Sequence, residues 1–291
     1  MKKTRHVLGL SGGKDSSALA IYMRDTYPEM EVSYFFTDTG EELKEVYEYL
    51  DKLEAYLGKP IARLNQIDEE REGSKTEFEK FMHRYNNFLP SATARWCTIE
   101  MKLKPFEKWI KTFLDAGEEV ISYVAIRSDE KRLGYKSSNE DVKVKFPFME
   151  DNIDREKVSQ ILDDSGLGLP GYYRWRSRSG CTFCFFQQKI EWVRLSREHP
   201  EAFERAKKLE KTALDHDSPF TWVQGTTLDE LVAPKRAKQI EEDFQKRLER
   251  EKKLKAKRLA RNPFLNEDTK KLDIEEVYGD DVSSSCLICH K

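Results

Sequence analysis

The chain has 291 residues, 36% of them charged, and a formal net charge of −2, which suits one large domain or one domain with an appendage and excludes a global polycation. Any contact with nucleic acid must therefore come from local patches or a partner. No apolar run is long enough to span a bilayer, and five cysteines in a chain whose N-terminus leads into a strand argue against a disulfide framework, so the expectation is a cytoplasmic protein with no membrane partner.

In chain order, His6-Val7-Leu8-Gly9-Leu10 reads as a buried strand, and residues 18–23 begin a helix. Between them lies Ser11-Gly12-Gly13-Lys14-Asp15-Ser16-Ser17. The two glycines allow a tight turn with amides facing outward. Those amides and the helix N-terminus make an anion site. Lys14 adds a mobile cation, and the serines can donate hydroxyl hydrogen bonds or cap the helix. The spacing is not that of a Walker loop. An ordinary strand-to-helix turn is the plain alternative.

The first helix is expected to end near Tyr27-Pro28. Val32-Ser33-Tyr34-Phe35-Phe36 is a second strand, followed by Thr37-Asp38-Thr39-Gly40-Glu41-Glu42. A strand ending in Asp-Thr-Gly places Asp38, Thr39 and Gly40 at the carboxyl edge of a parallel sheet, where ligands bind. Asp38 can also cap the next helix, expected over 41–57. Ile61-Ala62-Arg63-Leu64 is a third strand. Arg95-Trp96-Cys97-Thr98 precedes Lys102, Lys104, Pro105 and a helix to about Ala116. The run Val120-Ile121-Ser122-Tyr123-Val124-Ala125-Ile126-Arg127 reads as a strand. It is followed by Ser128-Asp129-Glu130-Lys131-Arg132, whose cations are placed either to meet anions or to face solvent.

Val144-Lys145-Phe146-Pro147-Phe148 reads as an edge segment before a helix over 154–162. A basic aromatic run, residues 172–180, opens onto Cys181-Thr182-Phe183-Cys184. If extended, it sets Arg174, Arg176 and Arg178 on one face, with arginine suited to phosphate and Tyr172, Tyr173 and Trp175 to bases. Helices are expected over 190–199 and 201–211. Residues 235–261 carry twelve Lys/Arg against five Asp/Glu. They read as a solvated charged helix, with a phosphate-contacting arm as the alternative. The alternation of short apolar runs with helical stretches predicts an α/β fold with an open, mostly parallel sheet and helices on both faces. The expected units are 1–195, a helical extension over 196–262 and an irregular tail over 263–291.

These motifs carry a resemblance. The order S-G-G-K-D-S resembles the PP-loop of ATP pyrophosphatases. With Thr37-Asp38-Thr39-Gly40-Glu41, Arg95-Trp96-Cys97-Thr98, Lys102, Pro105, Ala125-Ile126-Arg127-Ser128-Asp129-Glu130, Arg132, Phe146-Pro147-Phe148 and Gly180-Cys181-Thr182-Phe183-Cys184, the chain is similar to the phosphoadenosine phosphosulfate reductase superfamily over residues 5–195. Two departures stand out. Cys97-Thr98 replaces the cysteine pair of adenylyl-sulfate reductases, and the terminal Glu-Cys-Gly-Leu/Ile-His motif is absent. The intact loop resembles most the ATP pyrophosphatases of DNA phosphorothioation, of DndC and SspD type.

The resemblance implies an adenine nucleotide alpha hydrolase-like fold that binds ATP with Mg²⁺ through Ser11, Gly12, Gly13, Lys14, Asp15, Ser16 and Ser17. Asp38, Thr39 and Gly40 would face the nucleoside. Lys14, Asp15 and Arg127 would carry catalysis, with Arg132 on a phosphate. It also implies DNA as acceptor, other modification-complex subunits, and a cysteine desulfurase as sulfur donor. Cys97, Cys181 and Cys184 fall at cluster-associated positions and would hold a [4Fe–4S] cluster, with Cys286 or Cys289 as a possible fourth ligand. The alternatives are zinc, packed thiols, or a tail pair that relays persulfide. Competing activities are a sulfonucleotide reductase, a tRNA thiolase, and a nucleotide-binding subunit without turnover. On this reading Lys14→Ala and Asp15→Ala should abolish pyrophosphate release and spare the fold.

Overall fold

The computed structural model describes residues 2–65, 76–137, 139–218 and 220–261. Five short apolar runs form one sheet: β1 (Thr4–Gly9), β2 (Val32–Thr37), β3 (Ile61–Leu64), β4 (Glu119–Tyr123) and β5 (Val142–Lys145). Their order is β3-β2-β1-β4-β5, and every pair is parallel. The chain builds outward from β1 to β3, then returns to the other side of β1. The order therefore reverses between β1 and β4, the place where open α/β sheets bind ligands.

The period of two along each strand sorts side chains onto the two faces. Leu8, Tyr34, Phe36, Ile121 and Tyr123 join one apolar cluster, together with buried residues of α1 (Lys14–Thr26), α2 (Lys44–Leu57) and α7 (Arg155–Asp164). Val7, Phe35, Val120 and Val142 face the other way, against Ile110, Phe106, Trp109 and Phe113 of α5 (Lys104–Asp115). Phe35 and Phe106 stack with ring centroids 4.8 Å apart. The expected α/β class, with helices on both faces of a parallel sheet, is what the chain adopts.

Between β3 and α5 lie α3 (Glu77–Arg84) and α4 (Trp96–Thr98), the latter continuing through a π turn over Ile99–Leu103. After β5 comes α6 (Pro147–Glu150). Beyond α7 a 3₁₀ turn, Gly171–Arg174, leads through a loop to α8 (Lys189–Glu198), α9 (Pro200–Asp215), α10 (Leu228–Val232) and α11 (Pro234–Arg261). α8 crosses residue 195, the expected end of the first unit, and Phe203, Leu209, Trp222, Leu231, Ile240 and Phe244 continue the same apolar cluster that covers the sheet. The expected tail over 263–291 lies outside the described residues. No described helix is long and apolar enough to cross a membrane.

Three expected elements differ. The fourth strand stops at Tyr123, because β5 gives its last backbone partner at Lys145 and Pro147 then opens α6. Val124, Ala125, Ile126 and Arg127 leave the sheet but remain buried. The second helix starts at Lys44 rather than 41, since Gly40 takes a left-handed turn at φ 71° and keeps the preceding residues in a loop. Residues 172–180 are not an extended face: the 3₁₀ turn and the loop after it draw Tyr172, Arg176 and Arg178 inward.

Candidate functional site

The turn after β1 is built by close approach. Gly12 sits at φ 69°, and a Cβ there would lie 2.7 Å from Val46 Cγ1. A Cβ on Gly13 would lie 2.8 Å from Ser179 Oγ. Gly13 is the N-cap of α1 and supplies no side-chain cap. The serines do not cap the helix either. Ser17 and Ser16 donate back to the Gly13 carbonyl (2.8 and 3.3 Å), and Ser11 Oγ lies 3.1 Å from Ser16 Oγ. Their hydroxyls close the loop on itself, and the Gly13 amide in turn donates to Ser11 Oγ (3.3 Å).

Two tyrosines fasten this turn from afar. The Tyr172 hydroxyl donates to the Gly12 carbonyl (2.6 Å), and the Lys14 amide donates to the Tyr173 hydroxyl (3.1 Å). The Lys14 ammonium lies 5.3 Å from the centre of the Tyr173 ring. Burial pushes the Tyr172 phenol well up, keeping it a donor. The sequence reading made both rings suited to bases, on an extended segment. Their hydroxyls instead set the turn, a role that the sequence distance conceals.

Asp15 lies between two cations: Lys14 Nζ is 3.5 Å from one carboxylate oxygen and Arg127 Nη1 is 2.9 Å from the other. All three side chains are buried. Arg127 follows β4, so this pair spans the reversal of strand order. Its Nε also donates to Asp129 (3.0 Å). Arg132 reaches Glu130 (2.6 Å). The expected catalytic trio, Lys14, Asp15 and Arg127, is thus brought together, whereas Arg132 is held in a side loop by a carboxylate.

After β2, Asp38 accepts from the Gly40 amide (2.8 Å) and from the Tyr47 hydroxyl (2.7 Å), and it is not a helix cap. Thr39 donates to Glu42 (2.7 Å) and lies 3.2 Å from Cys181 Sγ. Glu42 is an unforeseen centre of this edge. Burial pushes its carboxyl up, against the opposing pull of Lys102, which the π turn carries inside. Burial and the neighbouring Glu42 push the Cys181 thiol well up, with Lys102 opposing. The loop is clamped at Glu41, whose carboxylate takes a paired contact from Arg205 of α9 and whose carbonyl accepts from Thr182 (2.7 and 2.8 Å). No sequence signal marks Arg205, a single arginine in an amphipathic helix.

The cysteine expectation is corrected in part. Cys97, Cys181 and Cys184 are all partly buried, and no disulfide joins them. Among the described residues no three His, Cys, Asp or Glu side chains are placed to hold a metal. Burial and the Glu42 carboxyl favour the Cys181 thiol over the thiolate a cluster requires, with Lys102 and the Thr39 hydroxyl opposing. The described residues therefore do not fit a [4Fe–4S] cluster; Cys286 and Cys289 lie outside them. The arginine expectation is corrected too. Arg174 is exposed and bonded to Glu198 (2.6 Å), while Arg176 and Arg178 are buried and bonded to backbone carbonyls.

Comparisons with known proteins follow this geometry. The uncharacterized protein MJ0066 of Methanocaldococcus jannaschii is 23% identical over 232 residues, 75% of this chain and 44% of that protein. This chain thus spans less than half of that relative's length. The uncharacterized 37.8 kDa protein in the gpa 5'region of Escherichia phage 186 is 26% identical over 257 residues, 72% of this chain and 75% of that protein. Among solved structures, the phosphoadenylyl-sulfate (PAPS) reductase from Candida auris in a phosphate complex is similar with a TM-score of 0.46 and 14% identity, covering 61% of this chain and 81% of that one. The U34-tRNA thiolase NcsA from Methanococcus maripaludis with its [4Fe-4S] cluster is similar with a TM-score of 0.36 and 12% identity, covering 74% and 73%. The family model of the phosphoadenosine phosphosulfate reductase domain matches residues 5–150, from the first strand through Arg127 to α6, and the chain belongs to that family.

Proposed function

We propose that the chain is an ATP pyrophosphatase that adenylates an acceptor oxygen for sulfur incorporation, with a DNA backbone phosphate as acceptor. One observation carries the reading: the Gly12-Gly13-Lys14-Asp15 turn heads α1 where the strand order reverses, with Lys14 and Arg127 joined through Asp15. Magnesium bound with ATP would supply charge neutralisation for the phosphates, beside Lys14 and Asp15. The acceptor oxygen attacks the α-phosphorus, and the bond to the β-phosphate oxygen breaks. Pyrophosphate leaves with that electron pair. Lys14 and the first-turn amides of α1 stabilise the leaving charge, and Asp15 holds the two cations in place. A persulfide loaded by a cysteine desulfurase then attacks the activated phosphorus, AMP leaves with the P–O electron pair, and a thiol reductant cleaves the S–S bond, becoming a disulfide and leaving the sulfur on phosphorus. No step uses an iron–sulfur cluster.

The family match favours one alternative, a sulfonucleotide reductase that splits sulfite from a nucleotide without consuming ATP. ATP labelled at the α-phosphate, incubated with and without DNA or tRNA, separates the readings. DNA-stimulated formation of AMP and pyrophosphate supports the proposal. Sulfite release from a sulfonucleotide with no AMP formed overturns it. Stimulation by tRNA alone moves the acceptor to a tRNA base.

A further inference from the structure

The loop over 175–188 contains two guanidinium groups that meet no carboxylate among the described residues. Arg176 is 1% exposed and Arg178 is 7% exposed. Arg176 donates to the carbonyls of Gly180 (3.2 Å) and Cys181 (2.7 Å), and Arg178 donates to that of Phe186 (2.5 Å). The Nε of each is buried without a hydrogen-bond partner, as is Ser177 Oγ. Of the buried carboxylates at this loop, Glu191 accepts from the amides of Ser177 (2.6 Å) and Gln188 (2.7 Å), and Glu42 meets Cys181 Sγ (3.7 Å). Carbonyls orient a guanidinium but do not neutralise it, and a buried charge ordinarily has a counter-charge.

A third cation converges on the same place. The guanidinium of Arg95, ahead of α4, lies 5.1 Å from the centre of the Phe186 ring, and that of Arg178 lies 5.0 Å from it. Two like charges over one ring repel, and an anion that meets both relieves them. The loop is also tied to the phosphate turn, since Ser179 Oγ donates to Ser11 Oγ at 3.0 Å.

We propose that Arg95 and Arg178, with Phe186 beside them, form a second anion site that takes a backbone phosphodiester of the acceptor strand, next to the turn that takes the phosphates of ATP. The site rests on the DNA-acceptor reading above, and it differs from the exposed arginine face expected from the sequence. Here one arginine comes from a distant segment and the other is buried.

The test uses Arg95, which is only partly buried, because an Arg178→Ala chain would report folding as much as binding. Full-length wild type, Arg95→Ala and Arg95→Lys are titrated with a short labelled single-stranded DNA across a range of salt, with thermal midpoints compared. The expected result is binding weakened about tenfold in Arg95→Ala, with a log–log salt slope shallower by about 0.7. Arg95→Lys keeps the slope, and ATP affinity is unchanged in both. An unaltered slope in Arg95→Ala overturns the site. A fall in ATP affinity with DNA binding unchanged overturns it as well, by assigning the arginines to the nucleotide. Wild type that releases pyrophosphate but binds no DNA overturns the site and the DNA acceptor while sparing the ATP chemistry. Wild type that binds DNA through Arg95 but releases no pyrophosphate upholds the site and overturns that chemistry.

Discussion

The turn over 11–17 and the loop over 172–187 meet at Ser11 and Ser179, yet they are made in different ways. In the first, conformation is mostly local: Gly12 and Gly13 set the backbone, and Ser11, Ser16 and Ser17 bond within five residues. In the second, key partners lie far away in sequence. Tyr172 reaches Gly12, Thr182 reaches Glu41 and Cys181 reaches Thr39. The difference teaches that a polar, basic stretch is read safely from sequence only where its partners are its neighbours. The same three arginines that alternate along 174–178 end in unlike settings, one bonded to a surface carboxylate and two buried.

The strongest way to sharpen this contrast is Lys14→Ala. On the proposed mechanism, losing this charge should lower pyrophosphate release by 10²–10³-fold, roughly the loss seen for a pre-organised transition-state donor, and leave the urea midpoint near wild type. Release within threefold of wild type, about 0.7 kcal/mol, breaks the assignment.

Asp15→Ala tests the tertiary side of the same turn. The sequence reading expects activity to fall and the fold to be spared. The structure predicts a destabilisation of about 3–5 kcal/mol as well, because Arg127 is left buried beside an emptied position. Urea unfolding measures it, and an unchanged midpoint would mean that Asp129 and Glu130 suffice for Arg127.

In the second loop, Arg176→Ala should cost about 3 kcal/mol by uncovering two buried carbonyls and leaving a cavity. Arg174→Ala, which removes an exposed pair with Glu198, should cost under about 0.5 kcal/mol. Equal costs would erase the distinction between the two residues.

The smallest effect is one of pH. Burial raises the Glu42 carboxyl above its ordinary value of 4.5, so the folded chain holds that proton more tightly than the unfolded chain. The stability tied to it is complete below about pH 4.5 and is lost as pH rises through the folded value. Glu42→Gln should therefore lose less stability than wild type between pH 5 and 8. Parallel pH courses for the two proteins would remove Glu42 as a titrating group.

The cores of the strands and helices were legible because they rest on short-range patterns. Ile61–Leu64 was delimited as found, and the helix ends near Tyr27 and Ala116 fall within a residue or two of those observed. Asp154 caps α7, at the residue where that helix was expected to start. The backbone of the turn at 11–17 was legible for the same reason, since its glycines and small hydroxyls bond within five residues of one another.

What the sequence determined by itself is the parallel α/β class and the turn at 11–17, both products of local geometry and apolar period. Only the tertiary structure decided where the charges go. It placed Arg127 on Asp15, drew Lys102 through a π turn toward Glu42 and Cys181, and clamped Glu41 with Arg205. It also kept Cys97, Cys181 and Cys184 from making a ligand set among the described residues. The physical reason is that a charge or a thiol takes its state from whatever solvates it, and inside a fold those groups come from segments a hundred residues away.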